Sequence, residues 1–119
     1  NASIEQIQFV NPSNGWMRAE YRDGLFATRD GGETWTYQEL NVEPSGSIVD
    51  MQFLDEKTGL VLARIEEDDF RIFRTLDGVA WKEVAQVRAP LAAFSFINST
   101  EGWAVGPNGL IAHFQLPAE

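Results

Sequence analysis

The chain repeats itself about every 44 residues, and that period restricts its fold more than any other feature. Three segments align without gaps: Gln6 to Trp16, Asp50 to Leu60 and Ala93 to Trp103. Phe9 to Phe53 is 44 residues and Phe53 to Phe96 is 43, and Gly15, Gly59 and Gly102 keep the same spacing. Each segment begins with apolar residues flanking a polar one: Ile7 and Phe9 around Gln8, Met51 and Phe53 around Gln52, Phe94 and Phe96 around Ser95. This alternation is that of a strand, in which successive side chains take opposite faces.

Each unit then reads as short strands separated by turns. A polar turn ending in glycine leads to a second strand: Trp16 to Tyr21, Leu60 to Ile65 and Trp103 to Val105. The next turns are Arg22-Asp23-Gly24, Glu66 to Asp69 and Gly106-Pro107-Asn108-Gly109. Asp-Gly and Asn-Gly pairs accept positive φ and suit hairpins. Third strands follow at Leu25 to Thr28, Phe70 to Thr75 and Leu110 to Phe114, and fourth strands at Trp35 to Leu40 and Trp81 to Val87. The third unit shows no fourth strand, and no stretch has a helical period.

Four antiparallel strands in about 44 residues make one blade of a β-propeller. The expected fold is all-β, a single propeller-type domain over 1–119 with blade repeats near 4–43, 47–88 and 91–116. Propellers use four to eight blades, so three leave the ring open. Covering ~250 Å² of apolar surface on each open face would contribute roughly 12 kcal/mol. Further blades, or a second copy closing a six-bladed ring as a homodimer, are therefore expected to complete the arc.

Composition narrows the function. Nine basic against eighteen acidic residues give a net charge of −9, opposed to binding nucleic acid or anionic membranes. The absence of cysteine excludes disulfides, thiolate catalysis and cysteine zinc sites. No apolar run approaches the ~18 residues of a membrane span.

Between the third and fourth strands of the first unit lies Thr28-Arg29-Asp30-Gly31-Gly32-Glu33-Thr34-Trp35. The second unit has a version shortened by one residue, Thr75-Leu76-Asp77-Gly78-Val79-Ala80-Trp81, and the third has none. Thr28, Asp30, Gly32 and Trp35 match the four defining positions of the Asp box. Thr75, Asp77, Gly78 and Trp81 are their counterparts. In such a loop, hydroxyl and carboxylate accept hydrogen bonds from loop amides. The glycine takes a conformation other residues resist, and the tryptophan folds over the loop or between blades. The chain thus resembles the Asp-box, or bacterial neuraminidase repeat, propellers, which include sialidases, sortilin-like receptors and photosystem II assembly factor-like proteins. Gly102-Trp103-Ala104-Val105-Gly106 is most similar to the last group. The resemblance implies a structural role for the box and an exported, periplasmic or extracellular protein.

No catalytic residue, metal ligand or cofactor is assigned. Trp16 and Trp103 read as core, because the same position in the second unit is Leu60. Trp35 and Trp81 read as loop and core packing. Glu66-Glu67-Asp68-Asp69 reads as a solvated hairpin tip rather than a Ca²⁺ site, since four adjacent acids cannot all converge on one ion. His113, the single histidine, has no visible nucleophile partner. Sialidase chemistry needs an arginine cluster and a Tyr/Glu pair gathered from many blades. Tyr21 and Tyr37 are available here, but three units do not supply the convergence. The expected function is a non-enzymatic propeller module that binds a protein partner. The alternative is a glycan-binding or sialidase-like propeller of which these blades are a part.

Overall fold

The computed structural model describes residues 3–19, 24–40 and 46–118. It is nearly all β, in three antiparallel sheets that follow the repeat. The first blade contains β1 (Ile4–Phe9), β2 (Gly15–Ala19), β3 (Gly24–Thr28) and β4 (Thr36–Glu39), each paired with the next. The second contains β5 (Ser47–Phe53), β6 (Gly59–Glu66), β7 (Asp69–Thr75) and β8 (Lys82–Val87). The third has three strands: β9 (Ala93–Phe96), β10 (Glu101–Val105) and β11 (Ile111–Gln115). The expected turn at Arg22-Asp23 and the strand residues Glu20 and Tyr21 lie outside the described residues. So do residues 41–43 of the first repeat.

Backbone detail repeats with the sequence. A register irregularity between Ile4 and Gln6 recurs between Ile48 and Asp50. In all three units an Asx turn links the first two strands. Asn11 Oδ1 accepts from the amides of Ser13 and Asn14, Asp55 Oδ1 from Lys57 and Thr58, and Asn98 Oδ1 from Thr100 and Glu101. Phe9 is paired with Gly15, Phe53 with Gly59 and Phe96 with Gly102. Each ring lies over its glycine, leaving no room for a Cβ.

The blades stack face to face, with β5 beside β1 on one side and β9 on the other. Period-2 alternation then sorts the central blade's side chains between two cores. Val61 and Ala63 of β6 join Met51, Phe53 and Phe73 against Trp16, Leu25 and Ala27 of the first blade. Leu60 and Leu62, on the opposite face of the same strand, join Phe70 and Ile72 against Leu91, Phe96 and Ala104 of the third. The unbroken apolar run Leu60-Val61-Leu62-Ala63 is the mark of a strand buried on both sides. Trp16 stacks on Phe53 with ring centroids 3.8 Å apart.

Polar latches cross the same interfaces. Gln8 Nε2 donates to the Phe53 carbonyl (2.8 Å), and the Phe53 amide donates back to Gln8 Oε1 (2.9 Å). One blade on, Gln52 Nε2 donates to the Phe96 carbonyl (2.8 Å) and accepts from the Phe96 amide (2.7 Å). A primary amide can satisfy both backbone groups of one residue at once. Ser95 occupies this position in the third blade.

Trp103 departs from the expectation of a buried core residue: it is 37% exposed. It faces the side on which Trp16 meets the second blade and Leu60 meets the third, and no described residue covers it there. Its ring instead stacks on His113, centroids 4.8 Å apart.

Candidate functional site

Two loops and two clefts carry the distinctive polar geometry of the chain. In the loop at 28–35, Thr28 is 2% exposed and its hydroxyl donates to Asp30 Oδ1 (2.8 Å). Thr28 Oγ1 in turn accepts the amides of Gly32 (2.9 Å) and Asp30 (3.3 Å). Asp30 also accepts the amide of Thr34 at Oδ1 (2.9 Å) and its hydroxyl at Oδ2 (2.6 Å). These donors, the Thr34 hydroxyl foremost, lower the Asp30 pKa to about 2. Gly31 and Gly32 take φ of 76° and 97°, a left-handed region that L side chains avoid. The Trp35 indole closes the loop by donating to the Gly32 carbonyl (3.0 Å), and its ring meets Phe9 edge-on.

The loop at 75–81 reaches the same closure with one residue fewer. Thr75 Oγ1 accepts from Gly78, three residues on, where Thr28 reaches four. Asp77 Oδ1 accepts the amides of Val79 and Ala80, both at 2.9 Å. The Ala80 amide, then the Val79 amide, are the main causes holding Asp77 below the usual carboxylate range. Gly78, at φ 77°, alone stands where the first loop has two glycines. The shortening redirects the tryptophan. Trp81 donates to Gln38 Oε1 of the first blade (3.0 Å), and Gln38 Nε2 donates to the Gly78 carbonyl (3.0 Å). This loop is therefore gripped by the neighbouring blade, and the Trp81 ring sits edge-on to Phe53.

Alongside that grip runs a cleft of about 560 Å³, lined by Arg29, Thr36, Tyr37, Gln38, Glu39 and Val79 among others. A second cleft of about 320 Å³ lies one blade on, lined by Arg74, Leu76, Asp77, Ala80, Lys82 and Val84. Both present mixed charge and partly exposed apolar groups, a surface suited to an extended polar chain with occasional apolar side chains.

Four of the arginines are engaged in the structure itself, Arg88 by an ion pair with Asp69 at 3.8 Å. Arg18 donates to Gln6, Glu5 and the Ile48 carbonyl. Arg71 pairs with Asp69 and Glu83. Arg74, 3% exposed, donates to the Ser99 carbonyl of the third blade (2.8 Å). Arg18, Arg71 and Arg74 share no partner and do not converge on one substrate carboxylate. His113 Nε2 lies 2.9 Å from Glu101 Oε2, on the open face of the third blade. The acidic run is not uniformly solvated. Asp69 is 6% exposed and accepts from Arg71 and Gln86. The Arg71 hydrogen bond is the main cause holding its carboxyl below the ordinary value. Sequence reasoning missed Asp69 because alternation past a hairpin tip does not reveal which acid turns inward. The signal available was Arg71, two residues away on the same strand face.

Among the described residues, no helix is long and apolar enough to cross a membrane, and no three acidic or histidine side chains cluster as metal ligands. No protein-family model matches the sequence, and no curated protein matches it. Solved structures do. The chain is similar to YCF48 bound to D1 peptide, with a TM-score of 0.75 and 18% identity over 95% of this chain and 36% of that one. It is also similar to YCF48 from Cyanidioschyzon merolae, with a TM-score of 0.68 and 20% identity over 94% of this chain and 37% of that one. The chain thus spans little more than a third of these structures' length, and at this identity the likeness establishes the fold, that of consecutive propeller blades.

Proposed function

We propose that this chain is a non-catalytic propeller module of the Asp-box type that binds a protein partner through an extended segment. The observation that carries the reading is the match in fold to a propeller with a peptide bound, YCF48 with the D1 peptide. Two features of the chain support it. The loops at 28–35 and 75–81 spend their carboxylates on their own amides, which suits scaffolding rather than chemistry. The 560 Å³ cleft beside β4 offers Arg29, Tyr37 and Glu39 to a peptide backbone and its charged side chains. The repeats at 4–43, 47–88 and 91–116 are the blades in this reading, and export to the periplasm or cell exterior belongs to it on family resemblance.

The test is a binding screen of the purified chain against a peptide array that includes the D1 peptide, beside a glycan array that includes sialosides. Sequence-dependent peptide binding that Arg29→Glu and Tyr37→Ala weaken supports the proposal. Glycan binding with no peptide selectivity overturns it.

A further inference from the structure

The outermost strands of the two four-stranded blades differ at their free edges. β4 pairs only with β3 and β8 only with β7, so one row of backbone N–H and C=O groups in each has no strand partner among the described residues. The β8 edge is blunted. Ile72 pairs with Ala85 and Phe73 with Glu83, which leaves Val84 as an extra residue in the ladder. Lys82 is exposed at its start, Glu83 is paired with Arg71, and Gln86 donates to Asp69. Bulges and charges of this kind keep an edge from recruiting another strand. β4 lacks the bulge and the lysine. Its register with β3 is regular from Thr36 opposite Ala27 to Glu39 opposite Gly24, and Thr36-Tyr37-Gln38 carries neither charge nor proline. The cleft of about 560 Å³ follows this edge, and all four residues of β4 line it. Arg29 stands beyond the Thr36 end of the strand and Glu39 closes the other end. Neither makes an ion pair or hydrogen bond with another described residue. Asp30, also in the cleft, spends its carboxylate on Thr28 and Thr34. The openness of this edge belongs to the rim of a blade: β8, whose blade has a neighbour on each side, still exposes Lys82, Glu83 and Gln86.

We propose that a partner segment adds to β4 as a further strand, antiparallel to it, with a basic residue opposite Glu39 and an acidic residue about four positions later beside Arg29. This rests on the reading that the chain binds an extended segment. An antiparallel segment runs from the Glu39 end towards the Thr36 end, so the order of charges, basic before acidic, is set by the direction of β4. Residues four apart on a strand share a face and lie about 13 Å from one another. Backbone hydrogen bonds along the edge supply the affinity, and the two charges select direction and register.

The test uses the intact chain and two synthetic peptides, Lys-Val-Thr-Val-Glu and the reversed Glu-Val-Thr-Val-Lys, each flanked by threonines and blocked at both termini. Fluorescence anisotropy is expected to show the first binding about threefold tighter or more. Arg29→Glu combined with Glu39→Lys inverts that preference. A second measurement leaves the protein unaltered. Methylating alternate peptide amides abolishes binding in one register and spares it in the other, because only every second amide of an added strand faces its neighbour. Hydrogen exchange then shows protection gained at alternate β4 amides and none gained in β8. Equal binding of the two orders, binding of neither, or indifference to which amides are methylated overturns the proposal. A peptide from the array that binds while the β4 amides exchange unchanged overturns strand addition and leaves the peptide-binding reading standing. A chain that binds no peptide overturns both.

Discussion

The ring of Phe9 lies against Gly15, its partner across the first hairpin, so that a Cβ on the glycine would stand 2.7 Å from Phe9 Cδ2. The same pair recurs as Phe53 over Gly59 and Phe96 over Gly102. These glycines have no positive φ; they are required by space. Ring and glycine form one packing unit, and Phe53 and Phe96 also pack against the preceding blade. Gly59→Ala forces the buried Phe53 ring out of its stack with Trp16. The expected cost is about 1–3 kcal/mol, measured by urea unfolding.

Trp16 supplies the opposite half of that stack. Trp16→Ala removes a buried indole between two blades and costs about 3–5 kcal/mol, whereas Trp16→Phe keeps an aromatic stack and costs much less. Thermal unfolding of the two variants checks the order.

Gln52 joins the second and third blades through two hydrogen bonds to Phe96. Gln52→Ala leaves a backbone amide and carbonyl without their partner, at about 1–3 kcal/mol. Hydrogen exchange provides a local readout: the Phe96 amide exchanges faster in the variant, while the Val61 amide, inside the second blade, changes less. Equal loss of protection at both amides would show that the latch is not a local device.

Asp30 makes acid stability measurable at one residue. Its carboxyl is lowered from 3.8 to about 2 in the folded chain. A depressed folded value means that the ionised form stabilises the fold. That contribution is fully present above the unfolded value and is lost as pH falls from about 3.8 towards 2. Carboxyl NMR should show Asp30 titrating near pH 2. Asp30→Asn should flatten that part of the stability profile, measured by urea unfolding at successive pH values. An Asp30 that titrates at its ordinary value would remove the loop bonds from the account.

Much of this architecture is legible in the sequence. The spacing of Phe9, Phe53 and Phe96 marks three units, and alternation around Gln8 and Gln52 marks their first strands. Thr28, Asp30, Gly32 and Trp35 are close enough in the chain for local chemistry to imply their loop. The partly exposed Trp103, the inward Asp69 and the crossed pair Gln38–Trp81 are not legible in the same way. Each depends on which neighbour, if any, stands beside a given face.

What the sequence determined by itself is therefore the blade: its period, its strands, its turns and its self-bonded loops. All of these arise from contacts between residues near one another in the chain. What only the tertiary structure decided is the stacking. Alternation states that Gln8 and Phe9 point to opposite faces, but not that the Gln8 amide spans 45 residues to bond both backbone groups of Phe53. That bond exists because the blades pack with their first strands side by side, an arrangement set by burying two apolar faces together rather than by any local preference.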